Sequence, residues 1–284
     1  MTAVRRRLRE WPAHLILLVG VALFAFPVYV AVIGSTHDLA TVASGRMGLT
    51  PGPYGLKNYV QAWSTGTGER IRGAPVRQMV RNSAIMAVTI STGKIAISII
   101  SAFAVVFFNF PGRMFFFWMI FVTLMLPVEV RIIPTYKVVS DLGMINTFAG
   151  LTIPLIASAT ATLIFRQFFL QVPDELVDAA KVDGAGPMRF FWSVLLPLSS
   201  TTVAALFVIL FLYGWNQYLW PLLITTSQSM ETVVIGITKM IGTGEALVDW
   251  PIIMATAVMA MLPPITVVVL MQRWFVKGLT ETEK

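Results

Sequence analysis

Cysteine is absent from this chain, and histidine occurs only at positions 14 and 37. Without thiols there is no disulfide, no thiolate nucleophile and no thiolate metal site. His14 and His37 stand at opposite ends of one apolar run, where they cannot share a ligand, so no metal centre is expected. Charge is equally scarce. Asp, Glu, Lys and Arg supply 12% of 284 residues, against about 25% in a soluble domain. The gaps between charges are correspondingly long: 27 uncharged residues from Glu10 to Asp38, 24 from Asp141 to Arg166, 23 from Asp249 to Arg273 and 41 from Arg189 to Glu231. About 20 apolar residues, rising 1.5 Å each, cross a hydrocarbon core of about 30 Å, so every gap holds a spanning helix. A soluble enzyme, a secreted disulfide scaffold and a disordered tail are excluded. The chain reads as an all-α polytopic membrane protein.

The charge that is present is net positive, with 21 Lys and Arg against 14 Asp and Glu. No stretch interleaves these cations with aromatics on a soluble face, so nucleic acid is not an expected partner. Basic residues flanking apolar spans serve topology and anionic lipid headgroups instead. Arg5, Arg6, Arg7 and Arg9 precede an apolar run over 14–33 that is too long for a signal-peptide core of about 7–15 residues. The reading is a cytoplasmic tail over 1–11 and an uncleaved first span. Further spans are expected over 82–108, 114–133, 148–169, 198–223 and 252–272. Six crossings put both termini on one side of the cell membrane. With the N-terminus inside, the inner segments hold 11 Lys and Arg and the outer ones 9, six of them in the loop between the first two spans. Outside that loop the count is 11 to 3, which places both termini in the cytoplasm. The loop over 35–81 is rich in Gly, Pro and Thr and is expected to form turns rather than a second domain. No repeat is visible, so residues 1–284 read as one membrane domain.

The richest segment lies between the fourth and fifth spans, Val172-Pro173-Asp174-Glu175-Leu176-Val177-Asp178-Ala179-Ala180-Lys181-Val182-Asp183-Gly184. Pro173 and the acids after it suit a helix start, where the macrodipole favours negative charge. Gly184 suits the left-handed residue that ends a helix, and Gly186-Pro187 can open a second one. Leu176, Ala179 and Ala180 are spaced to share a side. An amphipathic linker resting on headgroups is one reading of this helix–turn–helix. The other is a surface for a protein partner, favoured because its apolar residues are small and its charge is acidic, whereas a lipid-binding helix is basic with bulky anchors.

Asp178-Ala179-Ala180, then Gly184, Val194 and Leu196-Pro197, resembles the EAA loop of ABC importer permeases: Glu-Ala-Ala, three residues, Gly, nine residues, Ile, one residue, Leu-Pro. Asp replaces Glu at 178 and Val replaces Ile at 194. The resemblance extends to Phe110-Pro111-Gly112-Arg113, to Leu124-Met125-Leu126-Pro127 and to 215–222, Trp-Asn-Gln-Tyr-Leu-Trp-Pro-Leu. It covers almost the whole chain and points to the carbohydrate-type permeases related to the second maltose permease subunit. The stretches at 126–131, 159–162 and 165–169 are most similar to the second permease subunits of sn-glycerol-3-phosphate importers.

The resemblance implies a type I ABC importer permease fold of six transmembrane helices, with a coupling helix between the fourth and fifth in the EAA loop at 172–197. Glu175, Asp178, Ala179, Ala180, Asp183 and Gly184 would meet a groove on an ATPase subunit. The implied assembly is a heterodimer with a second permease subunit, two ATPase subunits and an external substrate-binding protein. ATP and Mg would serve the ATPase subunits, with no cofactor on this chain. In agreement, Gly93-Lys94 is followed by Ile95 and lacks the upstream glycine of a phosphate loop. The implied substrate is sn-glycerol-3-phosphate or a glycerophosphodiester, the alternative a neutral sugar or oligosaccharide such as maltose.

Polar residues within the spans are the remaining candidates for a substrate pathway. Lys94 lies about 18 Å into its span, near the midplane. It serves either as an attractive charge for an anionic substrate or as a structural partner of a carbonyl or an acid on a neighbouring subunit. Glu129 and Arg131 stand near the outer interface as an outer gate or an interfacial anchor pair. Trp215, Asn216 and Gln217 either line the pathway or bond between helices.

Overall fold

Helix is the sole regular structure among the described residues, as a bilayer demands when it offers no water to backbone groups. The computed structural model describes residues 2–66, 73–123, 125–126, 128–241 and 248–280, with side chains at 2–10, 128–129 and 275–280 outside the description. In chain order the helices are α1 (Thr2–Gly34), α2 (Leu39–Ala43), α3 (Gly55–Ser64), α4 (Val76–Phe107), α5 (Arg113–Val122), α6 (Val128–Asp141), α7 (Phe148–Thr152), α8 (Ala159–Phe169), α9 (Asp174–Val182), α10 (Pro187–Phe190), α11 (Leu196–Leu198), α12 (Ser200–Trp215), α13 (Leu219–Ile224), α14 (Val233–Ile241) and α15 (Trp250–Thr280). Three apolar stretches are long enough to cross a membrane, Trp11–Gly34, Val76–Phe107 and Trp250–Trp274. Two further crossings are bent pairs: Phe148–Leu155 with Ala159–Phe169 at 47°, and Pro187–Leu198 with Ser200–Trp215 at 70°.

Two expected spans are corrected. The third, expected as one helix over 114–133, is divided: α5 ends at Val122 and α6 begins at Val128. The division falls where the sequence carries Pro127, whose ring disfavours helix at the preceding residue and whose missing N–H removes a helical bond. Ten residues of α5 rise about 15 Å, half the hydrocarbon core. The fifth span, expected to continue to 223, stops at Trp215. Asn216 and Gln217 terminate it by donating their side-chain amides to the carbonyls of Leu212 at 2.9 Å and Tyr213 at 3.2 Å. Pro221 then falls in the first turn of α13, where a missing N–H costs nothing.

Contacts gather the chain into two units, residues 1–77 with 236–262 and residues 78–235 with 263–284. In the first, the outer loop is more ordered than its turn-rich composition predicts. Asp38 caps α2, accepting from Thr41 N–H at 3.3 Å and from its hydroxyl at 2.5 Å. Asn58 on α3 donates to the carbonyls of Ser35 and His37 at 2.9 and 2.8 Å, and Gly52 N–H donates to Thr36 Oγ1 at 2.7 Å. These bonds, made to the end of α1, hold helices too short to persist alone.

The second unit is built on α4. Ala87, Ser91, Lys94, Ser98 and Ala102 recur at helical spacing along its buried face, and the small side chains of the alanines and serines let other helices approach, as membrane packing favours. The closest approach is at Gly214 of α12, where an added Cβ would sit 2.9 Å from Ala87 Cα. Ser98 Oγ donates to the Ser158 carbonyl at 3.1 Å, at the start of α8. Near its N-terminal end α4 also pins a distant loop: Asn82 Nδ2 donates to the carbonyls of Ser229 and Glu231 at 2.9 and 3.0 Å, and Ser83 Oγ accepts from Val233 N–H at 2.8 Å.

Candidate functional site

The segment over 172–197 forms the expected helix–turn–helix. Asp174 and Glu175 occupy the first turn of α9 and Lys181 the last, each end matched to the macrodipole. Its end is a Schellman closure: Gly184 N–H donates to the Lys181 carbonyl at 3.0 Å and Ala185 N–H to that of Ala180 at 2.8 Å. Gly184 has φ 71°, a left-handed conformation costly for any residue with a Cβ. Gly186 and Pro187 then start α10, which runs through a π-helical turn at Phe191–Leu195 into α11. Pro197 accounts for that turn, since it cannot donate to the carbonyl four residues back and its ring crowds that carbonyl.

The exposed face of α9 carries Glu175, Leu176, Ala179, Val182 and Asp183. Asp178 is exposed beside it, paired with Lys181 at 2.9 Å; an exposed pair of this kind contributes little stability. Ala180 is the correction. It turns inward with Val177 onto a buried apolar cluster instead of sharing the outward face with Leu176 and Ala179. Around the helix Ala180 lies about 40° from Leu176 and about 60° from Val177, at the boundary of the two faces, and contact with the cluster draws it inward. The cluster below is phenylalanine-rich: Phe107 of α4 meets Phe169 of α8 at 5.8 Å and Phe190 of α10 at 5.5 Å, and Phe103 meets Phe191 at 5.0 Å. The helix–turn–helix thus rests directly on α4, α8 and the entry to α12.

Within the same unit, a recess of about 120 Å³ is lined by Lys94, Arg131, Thr135, Tyr213, Gln217 and Trp220 with apolar neighbours. Lys94 is 7% exposed, while Arg131 and Tyr213 are exposed, so the recess runs from a buried ammonium to an open basic rim. Lys94 Nζ lies 3.8 Å from the centroid of the Tyr213 ring. Among the described residues no carboxylate lines the recess and no ion pair engages either cation. A lysine at the centre of a span costs about 2.5–3.5 kcal/mol on insertion scales, and a desolvated cation–π contact returns about 2 kcal/mol. The ring alone leaves the charge under-compensated, and an anion in the recess would complete its environment.

Of the candidate pathway residues, the fold brings Lys94 and Arg131 together although 36 residues separate them in the sequence. Trp215 lies elsewhere, buried and stacked on Phe211 at 5.8 Å, and Asn216 caps α12, so neither lines the recess. Glu129 belongs to α6, and its side chain lies outside the described residues. Gln217, one of the expected pathway candidates, does line it, and the lining residues missed in the sequence are Tyr213 and Trp220. For Tyr213 the signal was a lone hydroxyl in the apolar final turns of α12, with Trp215 about 200° around the helix from it. Arg166 closes the other end of α8, its guanidinium 4.3 Å from the Phe117 ring of α5.

Residues 94–281 match the family described as binding-protein-dependent transport system inner membrane component. The chain is 57% identical over 271 residues to the sn-glycerol-3-phosphate transport system permease protein UgpE of Brucella melitensis, an alignment covering 95% of this chain and 96% of that one. The proteins of the same name from Rhizobium meliloti and Yersinia pestis are 54% and 53% identical, over 99% and 95% of this chain and 99% and 96% of theirs. Among solved structures, a bacterial ABC transporter involved in the import of the acidic polysaccharide alginate superposes with a TM-score of 0.80, covering 97% of this chain and 99% of that one at 19% identity. That likeness extends to the fold alone.

Proposed function

This chain belongs to the binding-protein-dependent inner membrane components, and we propose from that premise that it is the permease subunit of an importer for sn-glycerol-3-phosphate. The observation that carries the reading is 57% identity, over nearly the full length of both chains, to a permease named for that substrate. The chain is a multi-pass membrane protein with an ABC importer permease fold. Residues 1–284 act as one transmembrane domain with both termini in the cytoplasm, α5 and α6 together making the third of six crossings. A second permease subunit supplies the other half of the pathway, two ATPase subunits hydrolyse ATP with Mg, and an external binding protein delivers substrate.

Coupling falls to the exposed face of α9, where Glu175, Asp178, Ala179 and Asp183 meet the ATPase groove. Ala180 and Gly184 shape the helix from within, one packed on the phenylalanine cluster and the other closing its end. Support comes from the acids that line that face, Glu175, Asp178 and Asp183, where a headgroup-binding helix would carry bases.

The test is uptake into proteoliposomes carrying the assembled importer and its binding protein, comparing sn-glycerol-3-phosphate, a glycerophosphodiester and maltose. ATP-dependent uptake of the phosphate esters is expected. Maltose uptake without phosphate-ester uptake would refute the substrate and leave the permease standing.

A further inference from the structure

Resting on sn-glycerol-3-phosphate as the transported substrate, we propose that the recess between α4, α6 and α12 is a transit site for its phosphate group, held by Lys94 and Arg131. Neither the fold likeness nor the family match assigns this chain a site for any part of the substrate, and three independent observations place one here.

The first is burial without a counter-charge among the described residues. Lys94 is 7% exposed, lines the recess and faces a tyrosine ring in place of a carboxylate. The second is the meeting of two cations from different helices. A structural ion pair would bring an acid to this point, whereas among the described residues the lining brings a second base and no acid. Two like charges facing one small space raise each other's energy until an anion enters between them. The third is complementarity of form. Arginine presents a planar fork suited to two phosphate oxygens, and lysine a compact charge suited to a third. A volume of about 120 Å³ admits a small anion and excludes an oligosaccharide chain. Thr135, one turn after Arg131, already donates its hydroxyl to the Arg131 carbonyl at 2.7 Å; it stiffens this part of α6 without adding charge.

A phosphate held this way is a dianion in a monoester and a monoanion in a diester, so the site distinguishes the two by charge. It also lies within the permease rather than on the binding protein, and therefore acts after delivery, on the rate of passage rather than on capture.

The experiment uses the complete importer in proteoliposomes with saturating loaded binding protein, measuring uptake and ATPase activity together for wild type, Lys94→Gln, Arg131→Gln and Lys94→Arg. Expected is at least a tenfold fall in sn-glycerol-3-phosphate uptake for each Gln variant, with stimulated ATPase activity kept within about twofold. Cycling then continues without cargo. Lys94→Arg restores most of the uptake, and the glycerophosphodiester loses less than the monoester. The proposal is overturned if uptake and ATPase activity fall in parallel, which marks a structural role, or if Lys94→Gln transports as wild type. It is equally overturned if the defect follows the phospholipid composition of the vesicles, since a lipid phosphate would then be the occupant. Failure of wild type to transport any phosphate ester would instead remove the substrate reading on which the site rests.

Discussion

Gly184 offers a sharp test of how α9 is held for coupling. Its φ of 71° closes the helix through two backbone bonds, and a Cβ added there would meet nothing within 4 Å. Any effect of substitution therefore comes from the backbone and not from a clash within the chain. A left-handed conformation costs an alanine about 1–2 kcal/mol, which is a factor of about 5–30 in the population of the native closure. Asparagine adopts the same conformation readily, and a β-branched residue least of all. The expected order of substrate-stimulated ATPase activity in the assembled importer is thus wild type, then Gly184→Asn close behind, then Gly184→Ala, then Gly184→Val. Assembly is measured in parallel by co-purification of the ATPase subunits. If asparagine is as damaging as valine while alanine is tolerated, the glycine serves close approach of the ATPase surface, and the backbone account fails.

Other positions give independent checks. Asn82→Ala removes two buried hydrogen bonds to the loop at 229–231, and should lower stability by about 1–3 kcal/mol, read as a drop in Tm in detergent; an unchanged Tm refutes the pinning role. Gly214→Leu forces α12 away from Ala87 and the Tyr213 ring away from Lys94, costing about 1–3 kcal/mol and reducing uptake; wild-type uptake would show that the close approach is dispensable. Hydrogen bonding from Thr41 holds the Asp38 carboxyl below its ordinary value of 3.8. Because the folded value is the lower one, the cap contributes fully above about pH 4 and is lost as pH falls through that lower value. Amide protection of α2 should follow this acid limb in wild type and be flat in Asp38→Ala; the same limb in both would refute the cap.

Much of this arrangement was legible in the sequence because membrane crossing and helix capping are local physics. Long uncharged gaps located the spans, and Pro173, Gly184 and Gly186-Pro187 marked the ends of α9 and the start of α10 within a residue. The breaks were harder. At Asn216 an amide folding back on the Leu212 carbonyl outweighs an apolar run, and hydropathy does not register that bond. Ala180 and Ala179 are indistinguishable in composition, and only the phenylalanines beneath decide which faces inward. Arg131 read as an interfacial residue because a single continuous helix placed it at a span's end. Once α5 and α6 separate, it turns to Lys94, a meeting set by tertiary packing. Tyr213 was overlooked beside the richer 215–222 stretch, although a lone polar residue on an apolar helix is the stronger signal.

The phenylalanine bed beneath α9 has a mechanical consequence. Hydrogen bonds fix angle as well as distance, so a helix seated on them resists turning until bonds break. Ring edges and faces tolerate many tilts at nearly equal energy, while pulling them apart exposes apolar surface and is opposed throughout. Such a seat behaves as a ball joint. On the proposed coupling role, it would let the α9 helix swivel against α4 and α8, so that a displacement at the exposed face would arrive at the transmembrane helices as displacement and not as unfolding.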